Sequence, residues 1–297
     1  MKHIHKLMYL ALPLLLTSCI KDGFDKENCP GSLIIIPTIP GEEGGGTELK
    51  DTYTKVIDAN GKEHIVDVGS GKPIDLDDGT YTIVSAKGLK DDQANIKGTT
   101  ISVVTNPDGT AGDPGTPSGG YTDITIGGNN PGSGQDEVKL EVPVVPQSRP
   151  LILKIHFEGE NTALIQSLAG TVGGIALSRD LNYGFTPIDG QDRHPAITTG
   201  SINYNFSPGT ETKDTYESAR TLLGICGKST QDFSLTVNYE GDVQQPYTFD
   251  LTSQLDGFHT KDVTSSWVIE ITLRLGADFQ ATIEDWKAGP ESWMDAH

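Results

Sequence analysis

Regular alternation of apolar and polar residues in the second half of the chain is the feature that most restricts its fold. Leu151, Leu153, Ile155 and Phe157 are separated by single residues, two of which are polar. Successive side chains of a β-strand point to opposite faces, so this period predicts a half-buried strand and excludes an amphipathic helix. The same period recurs at residues 202–206, 233–239, 247–251 and 267–275. At least five strands with one apolar face need a second sheet to cover them, which predicts an antiparallel β-sandwich.

The first half of the chain combines short apolar segments with strong turn signals. Asn60-Gly61 separates two strand-like segments, and Asp78-Gly79 precedes another at residues 80–85. Asn-Gly is the strongest short hairpin signal, and the 35 glycines and 17 prolines of the chain suit a protein rich in turns. The first half is therefore also predicted to be a small β-sandwich. Its Asp78-Gly79-Thr80-Tyr81-Thr82 stretch resembles sandwiches of transthyretin-like topology.

Closely spaced prolines mark the expected boundary between the two halves. Pro143, Pro146 and Pro150 keep the backbone extended and cannot donate to a sheet ladder. The sequence predicts an all-β protein with two antiparallel sandwich domains in tandem, over residues 31–148 and 149–297.

Two segments inside these domains depart from the strand pattern. Residues 106–134 are rich in glycine, proline and asparagine around one alternating stretch, which predicts a hairpin flap that is either a binding loop or a tolerated insertion. Residues 161–168 suggest a short helix.

The first eighteen residues are predicted to be a lipoprotein signal peptide. Two lysines precede an apolar run at residues 7–16, about half the length that a membrane-spanning helix needs. Leu16-Thr17-Ser18-Cys19 resembles the bacterial lipobox, in which the chain is cut before the cysteine and the cysteine is acylated. This predicts lipid attachment at Cys19 and a lipidated tether over residues 19–30. The alternative is an ordinary signal peptide with an incidental Cys19.

Acyl chains, and not charge, are expected to attach the chain to a membrane. The formal net charge is -19, from 41 acidic and 22 basic residues, which repels anionic lipid and nucleic acid alike. The mixed charges that follow Cys19 resemble the surface-export signal of Bacteroidetes lipoproteins. They favour the outer face of the outer membrane, with periplasmic retention as the alternative.

Two cysteines remain besides the predicted lipid attachment site. An exported protein permits a disulfide between Cys29 and Cys226. Cys226 also follows an apolar run, where a buried free thiol is equally ordinary, so both readings stay open.

The sequence contains no recognisable catalytic or metal-binding constellation. It has no Gly-x-Ser-x-Gly motif and no pair of histidines at metal-ligand spacing, and a Ca²⁺ site near Asp75, Asp77 and Asp78 would lack the EF-hand pattern. Adjacent acidic residues such as Glu284-Asp285 point to opposite faces of a strand, which argues against shared acid-base work. We therefore expect a protein without enzymatic activity, without a cofactor and without a bound metal.

Several segments, taken in order, carry a family resemblance. They are Cys19 to Pro30 and, in the second half, residues 149–155 (Arg-Pro-Leu-Ile-Leu-Lys-Ile), 168–176, 247–255 and 281–289 (Ala-Thr-Ile-Glu-Asp-Trp-Lys-Ala-Gly). This series resembles the Bacteroidales fimbrillin superfamily, and its start is similar to the FimB-like fimbrial anchor lipoproteins. The resemblance covers most of residues 19–30 and 149–290, whereas residues 31–148 match only in general pattern.

The resemblance implies a two-domain anchor or subunit of a type V pilus, joined to other fimbrial subunits by donor-strand exchange. In such exchange an open sheet edge accepts a strand from a partner. In the polymerising subunits an arginine-specific protease removes an N-terminal segment with its lipid. The first arginine here is Arg149, which suits an anchor that keeps its acylated Cys19. The alternative is cleavage by a lysine-specific protease at Lys21 or Lys26. The alternative function is a glycan-binding lipoprotein of a nutrient-uptake system, with Tyr121, Trp286 and Trp293 as the aromatic contacts.

Overall fold

A computed structural model describes residues 31–40, 47–49, 52–127, 137–183, 196–209, 214–261 and 263–294. The predicted signal peptide, the tether, Cys19 and Cys29 lie outside these residues. The strands are β1 (Gly31–Ile39), β2 (Thr47–Glu48), β3 (Tyr53–Asp58), β4 (Glu63–Val66), β5 (Ile74–Leu76), β6 (Gly79–Lys87), β7 (Ala94–Lys97), β8 (Thr100–Val103), β9 (Ser118–Ile126), β10 (Glu137–Pro143), β11 (Val145–Pro146), β12 (Arg149–Gly159), β13 (Ile165–Asp180), β14 (Ala196–Asn205), β15 (Ser207–Pro208), β16 (Thr215–Leu222), β17 (Asp232–Tyr239), β18 (Val243–Asp250), β19 (Trp267–Leu275) and β20 (Ala281–Pro290). One helical turn, α1 (Glu291–Met294), follows β20.

The first half forms a sandwich of two sheets. In one sheet, which we call the β1 sheet, β1 pairs with β10 on one side and with β2 and β5 on the other. The second, the β6 sheet, has the order β11-β9-β6-β3-β4. The buried side chains of Leu33, Ile35 and Val142 from the first sheet pack with Val56 and Ile83 from the second.

The β6 sheet is buried on both faces. Four consecutive residues of β3, from Thr54 to Ile57, are buried, although a half-buried strand would bury only alternate positions. Val56 packs toward the β1 sheet, whereas Ile57 and Val84 belong to the core that continues into the second half.

The second half is a sandwich of a five-stranded and a six-stranded sheet. The β12 sheet has the order β15-β16-β12-β19-β20, and the β13 sheet the order β18-β17-β13-β8-β7, with β14 paired to the other side of β13. Burial alternates along β12 and β17 as the sequence predicts. The all-β prediction is confirmed. Two strand pairs, β1 with β10 and β12 with β19, are parallel within these otherwise antiparallel sheets.

Strand β13 carries contacts from both halves of the chain. Its sixteen residues pair with β17 and β14, and its last three, Ser178–Asp180, pair with β8 of the first half. The buried apolar cluster of the second half accordingly includes Ile101 and Val103 of β8. The β7-β8 hairpin thus extends a sheet of the second half while being encoded in the first.

Two local predictions are corrected by the structure. The central part of the predicted flap, residues 106–134, is ordinary sheet, because β9 pairs with β6 over nine consecutive residues and ends in the buried Ile126. Its small residues Gly119 and Gly120 are buried where β9 meets the end of β10 and β11. The predicted helix at residues 161–168 is a single 3-10 turn, Thr162–Leu164, after which β13 begins at once.

Candidate interaction surfaces

A buried polar network joins the two halves of the chain. Gln147 donates from Nε2 to the carbonyl oxygens of Gly119 (2.8 Å) and Leu181 (3.0 Å). Arg179, with no solvent exposure, donates from Nη2 to the side-chain oxygen of Gln147 (2.7 Å) and to its carbonyl oxygen (2.9 Å). Burial lowers the pKa of Arg179 to about 9, so the guanidinium is still charged at neutral pH. The side chain of Gln147 is therefore a fixed acceptor for a buried cation.

A second polar contact links β4 with the β7-β8 turn. Lys55 is completely buried and donates to Glu63 Oε1 (2.8 Å), which also accepts from the N–H of Gly98 (3.1 Å). These hydrogen bonds, led by that from Lys55, hold the pKa of Glu63 below its usual value. The carboxylate thus holds an edge of the β6 sheet against the hairpin that belongs to the β13 sheet.

The loop between β8 and β9 is held against β14 by side chains. Asp108 accepts from the hydroxyl (2.6 Å) and N–H (2.9 Å) of Thr110, and from Asn203 Nδ2 (3.1 Å). These bonds lower the pKa of Asp108. The 150 Å³ cavity beside them is lined by Asn203 and Arg220, among others, and Arg220 Nε donates to the Asn203 carbonyl (2.9 Å). This arrangement docks a loop and brings no reactive groups together.

A groove of 630 Å³ lies on the outer face of the β12 sheet. Strand pairing sets Glu217, Lys154, Glu270 and Lys287 in one row across four strands, so charges of opposite sign alternate. Lys154 Nζ lies 3.7 Å from Glu270 Oε1. Such cross-strand pairs are typical of a solvated sheet face, and both partners are about one-third exposed.

The residues of types that act in catalysis or metal binding are dispersed over the described structure. Among the residues that the structure describes, no group of three His, Cys, Asp or Glu side chains is placed to hold a metal ion. His259 is buried and accepts from the N–H of Ile225 (3.1 Å), and His156 meets the Thr215 hydroxyl (3.0 Å) on the outer face of β12. The Asp77 backbone carbonyl accepts a hydrogen bond from the Tyr81 hydroxyl (2.9 Å). These contacts are structural ones.

Cys226 is buried and has no cysteine partner among the described residues. Its carbonyl accepts from Gln231 Nε2 (2.7 Å), and its N–H donates to Gly174 (2.8 Å). Since Cys29 lies outside the described part of the chain, the bridge between the two stays a prediction.

Two of the three aromatic residues considered for glycan binding pack into the fold. Tyr121 lies on β9 and Trp286 on β20, and both are partly buried against the main apolar cluster. The ring of Trp286 meets that of Phe249 edge-on, with centroids 6.0 Å apart. The side chain of Trp293 lies outside the described set.

Sheet edges differ in how fully they are closed. The edge of β14 is covered, since its carbonyls at Ser201, Asn203 and Asn205 accept from Ala111 N–H, Arg220 Nε and Ser218 Oγ. Strand β18 has Pro246 at its centre, which removes a donor. Strand β20 is the outer strand of the β12 sheet, with eight of its ten residues exposed or partly exposed. No described helix has the length and apolar character to cross a bilayer.

The architecture is that of an all-β protein built from two packed sandwiches with several outer strands. No protein-family model matches the sequence, and no curated protein matches it either. Solved structures do match, at 11–14% identity, which establishes the fold. The fold that the sequence resemblance implies is thus confirmed.

Three of these structures share most of their length with the chain. The fimbrial anchor protein Mfa2 from Porphyromonas gingivalis is 11% identical at a TM-score of 0.56, covering 88% of this chain and 98% of that one. A candidate adhesin from Bacteroides ovatus is 14% identical at a TM-score of 0.56, covering 90% and 94%. Another from Bacteroides ovatus ATCC 8483 is 12% identical at a TM-score of 0.51, covering 80% and 89%.

Proposed function

We propose that this chain is a non-enzymatic lipoprotein of the bacterial cell surface that anchors or builds a fimbria. The observation that carries the proposal is the fold, which it shares over nearly its full length with a fimbrial anchor and with a candidate adhesin. The dispersal of histidines and acids over separate structural contacts supports a binding role over a catalytic one.

Lipid attachment at Cys19 supplies the anchoring step of this proposal. The Leu16-Thr17-Ser18-Cys19 motif supports it, and two or more acyl chains make membrane attachment stable even for a strongly acidic protein. Residues 19–30 would then lead from the outer membrane to β1. We retain residues 31–148 and 149–297 as the two proposed domains, with the β7-β8 hairpin packed across their boundary.

Fimbrial partners would join by strand donation. An unpaired strand edge offers backbone donors and acceptors to an incoming strand, whose alternate side chains add specificity. Arg149, the first arginine of the chain, is buried at the start of the paired strand β12. Its guanidinium donates to the carbonyl oxygens of Ser265 (2.8 Å) and Lys261 (3.0 Å). This burial supports an anchor whose N-terminal segment is not removed at that arginine.

Replacement of the lipidated cysteine tests the anchoring role. The Cys19→Ala variant should leave the membrane fraction, and cells that carry it should shed their fimbriae into the medium. Cys29→Ala, which removes the other cysteine of the tether, is the matched control and should stay with the membrane. A Cys19→Ala protein that remains membrane-bound would contradict lipid anchoring, and a released protein with fimbriae still held would contradict the anchor role.

A further inference from the structure

Strand β20 is a ten-residue outer strand, and no described strand pairs with its far edge. The β14 edge is covered by three donors, β18 is interrupted by Pro246, and β4 and β7 have only four residues each. In β20 the proline comes last, at Pro290, so no proline removes a donor from the residues before it. An edge of this kind is a template for another strand.

The exposed centre of β20 carries one acidic and one basic residue around a tryptophan. Asp285 and Lys287 pair with Thr272 and Glu270 of the outer face, and both are exposed. Among the described residues, Lys287 forms no ion pair. Within the described part of the chain, Asp285 Oδ1 accepts only the N–H of Trp286 (2.8 Å). Because this N–H bonds locally to a side chain, it does not take part in the β19-β20 ladder.

We propose that β20 pairs with β20 of a second copy of this chain, antiparallel and centred on Trp286. In that register residue 285 of one copy lies opposite residue 287 of the other, and the two-fold axis repeats the pair. Asp285 of each copy then meets Lys287 of the other, which gives two ion pairs. The N–H of Trp286 in each copy exchanges Asp285 Oδ1 for the Trp286 carbonyl oxygen of the other copy. An isologous contact requires such self-complementarity. The two β12 sheets become one continuous ten-stranded sheet. The inference does not depend on the proposed function.

Features on either side of this centre fix the register. The pairing of β20 with β19 shifts between Thr272 and Leu273, where Glu284 is the extra residue of a bulge. At this bulge Arg274 Nε lies 3.3 Å from Glu284 Oε1. On the C-terminal side of Trp286, Pro290 ends the run of backbone donors. A bulge and a proline interrupt regular pairing, so only the short central segment is available. Its alternating charges make a shift by two residues unfavourable, because like charges would then face each other.

Zero-length cross-linking of the purified full chain in solution tests the contact. A carbodiimide joins a carboxylate to an amine only where they touch, so wild-type protein should give a band at twice the monomer mass. Peptide mapping should join Asp285 to Lys287. Asp285→Asn and Lys287→Ala should each lose that link, whereas Asp250→Asn on the closed β18 edge should retain it.

Charge reversal separates the ion pairs from a general effect on folding. Asp285→Lys and Lys287→Asp each convert two attractive pairs into two repulsive ones, and each should lower the dimer fraction about tenfold at ~0.15 M salt. For these variants the dimer is measured with an amine-to-amine cross-linker. The double variant D285K/K287D should restore the dimer. Wild-type protein that stays monomeric, single reversals without effect, or a cross-link from β20 to a protein of another mass would each overturn the proposal.

Discussion

At the scale of single residues, the most informative side chains are charges that the fold buries. Lys55, Arg149 and Arg179 are among its largest fully buried side chains. Each has found specific acceptors, because a charge taken out of water without partners costs several kcal/mol. Sequence patterns predicted none of them. Lys55 bonds to Glu63 across the β3-β4 hairpin, and Gly98, which donates to the same carboxylate, comes from the distant β7-β8 turn.

The stabilisation that the Glu63 carboxylate provides is predicted to depend on pH. Its pKa in the folded protein lies below the ordinary value of 4.5, so its stabilisation is fully present above that pH. It is lost as the pH falls through the lowered pKa. Glu63→Gln should lower the free energy of unfolding by about 1 to 2 kcal/mol at pH 7, an amount reduced by the exposure of the carboxylate.

Urea titrations of both proteins at pH 7 and at pH 3 measure this difference. The difference in unfolding free energy between wild type and Glu63→Gln should be large at neutral pH and smaller at pH 3. Glu240→Gln, at an exposed position beyond β17, should match wild type at both values. An equal loss for Glu63→Gln at the two pH values would show that the charge of Glu63 is not what stabilises the fold.

At the scale of strands, the sequence predicts what burial of one face dictates. The alternation of β12, β17 and β19 identified them because one face of each meets the core and the other meets solvent. β9 was misread as a flap for two physical reasons. Its glycines are typical of loops, and they are needed here by a close approach of backbone that no local pattern reveals.

Gly120 tests this explanation of β9. A methyl group added at Gly120 would collide with the carbonyl oxygen of Pro143. Gly120→Ala should therefore cost about 3 kcal/mol of unfolding free energy, measured by chemical denaturation. Gly173→Ala in β13 is the control, because its nearest neighbour would be the Asp232 carbonyl oxygen at 3.7 Å. Equal small effects at both positions would mean that β9 tolerates a loop-like shift.

At the scale of the whole molecule, the two halves share one core. Residues 151–157 of β12 and the buried part of β8 belong to the same apolar cluster, and Gln147 bonds to Arg179 across the boundary. The prolines near residue 148 are the basis of the proposed boundary between the two sandwiches. They carried no information on the β8-β13 pairing or on the parallel β12-β19 pair, since such long-range contacts depend on tertiary packing.

The shared core predicts cooperative unfolding. Calorimetry of the intact protein should show one transition, with a calorimetric enthalpy equal to the van't Hoff enthalpy. Substitution of Ile101 by alanine, in β8, should lower the midpoint of that single transition without splitting it, because the residue is fully buried in the common cluster. Two resolved transitions in the wild type would show that the halves unfold independently.

The pairing of β8 with the far end of β13 also bears on how the molecule would respond to tension. A pull that separates the two sandwiches acts on three consecutive ladder pairs, from Ser178 to Asp180, together with the core beneath them. The connecting peptide between β11 and β12 therefore does not bear such a stretch by itself. Resistance to separation of the two sandwiches therefore comes from the β8-β13 pairing and the shared core beneath it.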